Sequence, residues 1–424
     1  VMITTATPLT LDARASGAWA RRFARTTPGL VVLIAVAVAT LCIVAGVVCA
    51  AALNGRIAEQ KAVLDHSEPF AYAAQNLYAA SSAADAAAAT AFLSGGNQTP
   101  LMRARYQQAL ASAASALADA TAGAPDAETR KALAEVSAQL ATYTGLVEAA
   151  RANNAQGFPI GSAYLREASS SMQTKLLPGA EKVYAADLAR VEQAQRRVGS
   201  LPMIGLALLV VALAAIAIGS VVMFKRTNRR FNLGLLGAAV VVAVVMVWIV
   251  GAVRLAAGDI ERGRTEGTAR FGQLAEARIL AQQARTDETL QLITRGDITT
   301  SEKSFYGHIE ELAARIGTAS PEAAAAVDKW VASHRIQVDA YRAGDYPAAV
   351  AQALGTDPGA SGAQFGAVET SLRDAIERAR ATMRDHVSDA GGYLLWLPTG
   401  VLVLMTVAAV ATVVGLWPRL KEFL

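Results

Sequence analysis

The chain has 424 residues, of which 53% are hydrophobic and 17% charged, with 39 basic and 35 acidic side chains and a net charge of +4. An ordinary globular domain carries about 25% charge, and the apolar excess here is gathered in four long runs, which points to membrane-embedded segments. Only two cysteines are present, Cys42 and Cys49, which excludes a disulfide framework and is too few for a cysteine-held metal.

The N-terminal arm, residues 1–28, carries Arg14, Arg21, Arg22 and Arg25. The first apolar run, Leu30 to Leu53, has the roughly 20 apolar residues that cross a bilayer. It is too long and too far from the start for a signal peptide and lacks a small-residue cleavage site, so it is expected to be retained. Cys42 and Cys49 fall on one face of this run and read as small packing residues.

The first outward segment, 54–200, is rich in Ala, Glu, Gln, Arg and Leu, the composition of helices. Breakers at Gly95-Gly96-Asn97 with Pro100, at Gly123-Ala124-Pro125-Asp126 and at Gly157-Phe158-Pro159 divide it into four helices. Asp126 is the expected N-cap of the third. The first and fourth are longer than the other two, and are expected to run into the membrane spans without a break. Pro69 and Pro178 fall inside them and should kink them, since an interior proline removes a backbone hydrogen bond.

A second apolar run, Leu201 to Phe224, leads to a link at 225–232 that carries Lys225, Arg226, Arg229 and Arg230. The third, Leu233 to Val253, opens the second outward segment at 257–392. Its breakers are Arg295-Gly296-Asp297, Gly317 with Ser320-Pro321, and Gly344-Asp345-Tyr346-Pro347. These parallel the first set, and Phe92-Leu93-Ser94-Gly95-Gly96-Asn97 aligns with Leu292-Ile293-Thr294-Arg295-Gly296-Asp297, which implies duplication of one unit. Ser320 is an expected N-cap with proline at the first helical position. The distal turn of the second segment carries a loose insert, Gly355-Thr356-Asp357-Pro358-Gly359-Ala360. The fourth run, Tyr393 to Trp417, precedes a tail at 418–424 with Arg419 and Lys421.

The expected fold is an all-α membrane protein. Four transmembrane helices, at 29–53, 201–224, 233–256 and 393–417, carry two tandem extracytoplasmic up-down four-helix bundles, because short connections imply antiparallel neighbours. The arm, link and tail are basic and lie on one side. The positive-inside rule puts them, and both termini, in the cytoplasm of a multi-pass plasma-membrane protein. The same basic segments would meet anionic lipid.

Catalytic patterns are missing from the sequence. His66, His308, His334 and His386 are scattered without ligand spacing, and there is no nucleophile elbow, phosphate-cradling glycine loop or Cys-x-x-Cys. Asp287-Glu288 beside Arg285, and Glu310-Glu311 beside Arg315, read as solvated helix faces. No enzyme activity, cofactor, metal or nucleic-acid partner is expected. The spans hold no ionisable residue near their middle, where transporters place them, and no cytoplasmic segment is large enough for an output domain.

The stretch Tyr341-Arg342-Ala343-Gly344-Asp345-Tyr346 ahead of Ala348-Ala349-Val350 resembles the external four-helix sensor module of bacterial chemoreceptors. A longer stretch runs from Asn153-Asn154-Ala155-Gln156-Gly157-Phe158-Pro159 through Tyr164-Leu165-Arg166-Glu167-Ala168-Ser169 to Met172 and Leu176-Leu177-Pro178-Gly179-Ala180. With the duplicated four-span layout, it resembles the GlnX-type actinobacterial membrane signalling proteins. That resemblance implies a relay of aspartate and glutamate availability from an external GlnH-like solute-binding lipoprotein to a cytoplasmic PknG-like Ser/Thr kinase. It brings no catalytic residue.

On this reading the external partner docks on the distal turns, at Asn97, Asn153, Asn154, Gly157, Tyr164, Arg166, Arg295, Asp297, Arg342 and Asp345. The internal partner meets Arg21, Arg22, Lys225, Arg226, Arg229 and Arg230. Two alternatives stand beside it: a direct small-molecule sensor, and an accessory or scaffold subunit of a transporter or envelope complex. Oligomeric state is left open.

Overall fold

The computed structural model describes residues 27–94, 100–227, 232–294 and 296–421. Every regular element among them is helical. In chain order these are α1 (Thr27–Ala62), α2 (Glu68–Leu93), α3 (Pro100–Gly123), α4 (Ala127–Ala155), α5 (Ile160–Ser171), α6 (Leu177–Val198) and α7 (Met203–Thr227). They continue as α8 (Leu233–Arg262), α9 (Ala269–Thr294), α10 (Thr299–Ile316), α11 (Pro321–Arg342), α12 (Tyr346–Leu354), α13 (Ser361–Leu394) and α14 (Leu397–Lys421). Three π-helical turns, Val63–Ser67, Met172–Leu176 and Gly263–Thr268, fill the gaps after α1, α5 and α8.

The chain divides into two compact units. One gathers the residues up to Glu59, Val198–Gly258 and those from Asp389 onward. It contains four helical stretches long and apolar enough to cross a membrane, within Gly29–Leu93, Met203–Lys225, Leu233–Ile293 and Ser361–Pro418. Glycines let these helices approach closely, as expected where lipid is as apolar as leucine and close backbone packing must hold helices together. A Cβ on Gly205 would lie 2.7 Å from Cys49 Sγ, and Gly234 packs against Gly415. Cys42 and Cys49 are fully buried there.

The expected unbroken join between helix and span is found for α1 and α8, where π-helical turns continue the helix directly into α2 and α9. It is not found for the second span. α6 ends at Val198, and Gly199 to Pro202 lie outside any helix before α7 begins. Gly199 is a poor helix former, and Pro202 disfavours helical backbone at Leu201. A two-residue turn at Leu395-Trp396 likewise separates α13 from α14.

The second unit comprises Gln60–Arg197 and Asp259–Ser388, the two outward segments together. Its helices begin and end where local chemistry dictates. Asp126 caps α4 by accepting from Thr129 N at 2.7 Å, and Ser320 caps α11 by accepting from Ala323 N at 3.3 Å. The third break in each half needs a left-handed residue, and glycine supplies it, at Gly157 (φ +74°) and Gly344 (φ +79°). The insert in the second half follows the short helix α12, which takes the place of α5 in the first.

A common apolar core runs through both halves of this unit. Phe70 and Leu77 of α2, Tyr143 of α4 and Leu165 of α5 belong to the same buried cluster as Leu274 of α9, Phe305 of α10 and Trp330 of α11. Each large side chain removed from water in this way contributes about 1.5–3 kcal/mol.

Candidate functional site

The distal turns divide into residues that hold the fold and residues that face solvent. Asn154 Nδ2 donates to Phe92 O at 3.0 Å, tying the end of α4 to the end of α2, and Asn153 Nδ2 donates to Ala149 O at 2.8 Å. Asp297 accepts from Thr299 N at 3.0 Å, and Asp345 caps α12 by accepting from Ala348 N at 3.0 Å. Tyr341 OH donates to Gly296 O at 3.1 Å, so the first and third turns of the second half meet. Tyr164, Arg166 and Arg342 are exposed, and Phe158 and Ile160 beside them expose apolar surface. Asn97, Arg295, Arg21, Arg22, Arg229 and Arg230 lie outside the described residues. So does the side chain of Arg226, while Lys225 is exposed at the end of α7.

Deeper in the second half, Asp287-Glu288 beside Arg285 does not form the solvated face that helix spacing suggests. Glu288 and Arg285 are buried, as is His334. Glu288 pairs with Arg285 on its own helix, accepts from Ser361 of α13, and faces His334 Nδ1 of α11 at 3.0 Å. His334 Nε2 faces Glu302 Oε1 of α10 at 2.9 Å. Each ring nitrogen thus meets a carboxylate, which only accepts, so both must carry hydrogen and the ring is an imidazolium. Burial pulls its pKa down, but hydrogen bonds to Glu288 and Glu302 outweigh this and raise it to about 9. For Glu288 burial alone would raise the pKa, yet Arg285, followed by His334 and Ser361, lowers it to about 2. The ring stacks on Phe305 at 3.7 Å, and Trp330 Nε1 donates to Ser361 Oγ at 3.0 Å. The network joins α9, α10, α11 and α13.

The first half carries a polar core of opposite character. In the register that aligns Phe92 with Leu292, Asp85 of α2 stands where Arg285 stands in α9. Ser169 Oγ of α5 donates to Asp85 Oδ2 at 2.7 Å. The other oxygen, Oδ1, has no hydrogen-bond partner, and neither do the buried hydroxyls of Tyr106 and Tyr143 or the side chains of Ser81 and Ser82. Asp85 makes no ion pair among the described residues. Burial pushes its pKa up to about 6, with the Ser169 hydrogen bond and the neighbouring Tyr143 and Gln173 side chains pulling the other way. Neither buried cluster has a local sequence signal, because its members come from helices far apart in the chain.

Comparison with known proteins bears on the same half of the unit. Residues 59–196 match the actinobacterial sensor domain. No curated protein and no solved structure matches the chain. The sensor-domain match begins and ends within two residues of the boundaries Gln60 and Arg197 that helix packing sets. It therefore takes in α2 to α6 and the Asp85 core. With apolar helices of membrane-crossing length before and after the sensor domain, the chain is a multi-pass membrane protein with a sensing and signalling role.

Proposed function

We propose that the protein is a non-enzymatic transmembrane signal transducer. Its helical unit lies outside the cytoplasm, receives a signal there, and passes it to a separate protein inside. The observation that carries this reading is the sensor-domain match lying between two membrane-length apolar helices. The basic arm, link and tail support the orientation, since short Lys/Arg-rich flanks stay cytoplasmic.

The finer reading is that aspartate and glutamate availability reaches the chain through a GlnH-like solute-binding lipoprotein and leaves through a PknG-like Ser/Thr kinase. It is supported by the resemblance of residues 153–180 and of the duplicated layout to GlnX-type proteins. The exposed Phe158, Ile160, Tyr164 and Arg166 form the docking face, with apolar anchors beside a cation, the residue types that dominate contact energy at interfaces. A coupling of about 1–3 kcal/mol between outer and inner sites is sufficient. Crosslinking in cells followed by purification tests the relay. Recovery of an external lipoprotein, lost in a Phe158→Asp/Tyr164→Asp variant, together with a cytoplasmic kinase supports it. Recovery of neither rules it out.

A further inference from the structure

Between the two halves of the helical unit lies a cleft of about 1330 Å³, bounded by residues such as Asn76, Asp119 and Arg380. It continues into a second cavity of about 360 Å³, which shares Ala80, Gln108, Arg278 and Arg373 with it. The floor of the second cavity is made of alanines of α2, Ala80, Ala83 and Ala87, whose short side chains leave the space open. Its size is that of a small-molecule pocket, typically about 300–1,000 Å³.

The charge lining this cavity is one-sided. Arg105, Arg278, Arg285 and Arg373 face it, with Glu369 as the only carboxylate among the described residues of the lining. Glu369 accepts from Arg278 Nε at 2.7 Å and also pairs with Arg373 at 3.4 Å, so one anion serves two cations. Arg285 is balanced from behind by Glu288. Two positive charges are left over. Arg105 is exposed and makes no ion pair among the described residues, and the Arg373 side chain is 55% exposed. Gln282 is 1% exposed and also lines the cavity; its Nε2 donates to Glu369 at 2.9 Å, and its Oε1 is buried without a partner. Leu354 and Phe365 add apolar wall.

We propose that this cavity binds a small organic dianion, a dicarboxylate or a phosphate monoester, held between Arg105 and Arg373 with Arg278 beneath. A hydroxyl or amine on the same ligand would donate to Gln282 Oε1, and its carbon skeleton would lie on the alanine floor and Phe365. Arginine suits the task because its planar fork matches carboxylate and phosphate oxygens. The walls come from α2 and α3 of the first half and α9 and α13 of the second, so occupancy bears on how the halves pack. A ligand that prefers one packing shifts the population toward it.

Binding can be read on the purified full chain in nanodiscs, by thermal unfolding and calorimetry. The probes are succinate, glycerol 3-phosphate and inorganic phosphate, with glycine and potassium chloride at matched ionic strength as controls. At least one dianion is expected to give a saturable rise in Tm of about 2–5 °C when present well above its Kd. Succinate alone would assign a dicarboxylate, and glycerol 3-phosphate alone a phosphate monoester. The exposed Arg105→Glu/Arg373→Glu double variant should weaken binding by about tenfold or more. Arg335→Glu, a cation outside the cavity, should bind as the wild type does. If the double variant does not fold, Arg105→Ala alone should still lose affinity. Three outcomes overturn the site: no saturable binding of any of the three dianions up to about 10 mM, an equal shift from glycine or chloride, or undiminished affinity in the variants. The assay needs no signalling partner, so its failure and the failure of the relay reading are separately visible.

Discussion

Asp85 carries a carboxyl group into a core of hydroxyls, with no cation among the described residues to meet it. Tyr106 of α3 and Tyr143 of α4 face it with neutral phenols, and Ser169 of α5 gives it one hydrogen bond. Its pKa of about 6 stands above the ordinary carboxylate value. An acid whose folded pKa is raised binds more protons folded than unfolded between the two values. Stability therefore falls as pH rises through about 4 to 6 and stays reduced above. Asp85→Asn should raise unfolding stability at pH 7.5 by about 1–3 kcal/mol, and the gap should close only below about pH 4; thermal unfolding of both proteins across that range checks it. His334 runs the same way at higher pH. Its folded pKa of about 9 lies above the usual imidazole value, so its contribution is full below about pH 6.5 and is lost as pH rises through about 9. His334→Gln leaves buried Glu288 with Arg285 alone and part-buried Glu302 without its cation, and should cost about 3–5 kcal/mol at pH 6. It should also abolish the alkaline fall in Tm that Asp85→Asn retains. Retention of that fall in His334→Gln would show that another group titrates there.

The elements reflect local chemistry most faithfully where a single residue decides. The caps at Asp126 and Ser320, the breaks before Ala127 and Tyr346, and the four apolar helices were legible because capping and turn formation depend on a few adjacent residues. Pro69 and Pro178, the expected kink positions, each lie two residues beyond a π-helical turn, Val63–Ser67 and Met172–Leu176. A missing proline N–H leaves a carbonyl one turn back unpaired, and a widened turn absorbs that defect without ending the helix. At Leu64 a carbonyl instead accepts from Arg384 Nη1 at 3.4 Å. The third π-turn, Gly263–Thr268, lies at the register of the first, 200 residues on, yet has no proline. Its glycines pack on α13, and a Cβ at Gly267 would lie 2.6 Å from Met383 Cα. That contact, like the Arg285–Glu288–His334 network, joins residues too distant in sequence for periodicity to reveal. Gly267→Ala should therefore destabilise the protein by about 1–3 kcal/mol through forced displacement of α13. Gly258→Ala, which meets nothing within 4 Å, should be neutral or slightly stabilising by denaturant titration, since alanine favours helix by up to about 1 kcal/mol.

At the scale of the whole molecule the relay depends on which side of the membrane each segment occupies. The N-terminal arm carries Arg14, Arg21, Arg22 and Arg25 against Asp12, and the link carries four cations and no acid. The tail adds Arg419 and Lys421 against Glu422. Such asymmetry sets orientation because basic flanks resist translocation, and it predicts that residues 60–197 and 259–388 are external. Cys42 and Cys49 are buried in the spanning unit, so the unmodified chain should give little background with a charged, membrane-impermeant maleimide. Ser137, Asp328 and Lys225 are exposed positions for single cysteines. On intact cells Ser137→Cys and Asp328→Cys should label at once, and Lys225→Cys only after permeabilisation. The reverse pattern would put the sensor domain in the cytoplasm and end the proposal that it receives an external signal. Labelling of Ser137→Cys but not Asp328→Cys would be equally decisive, because the two positions belong to one compact unit and must share a compartment.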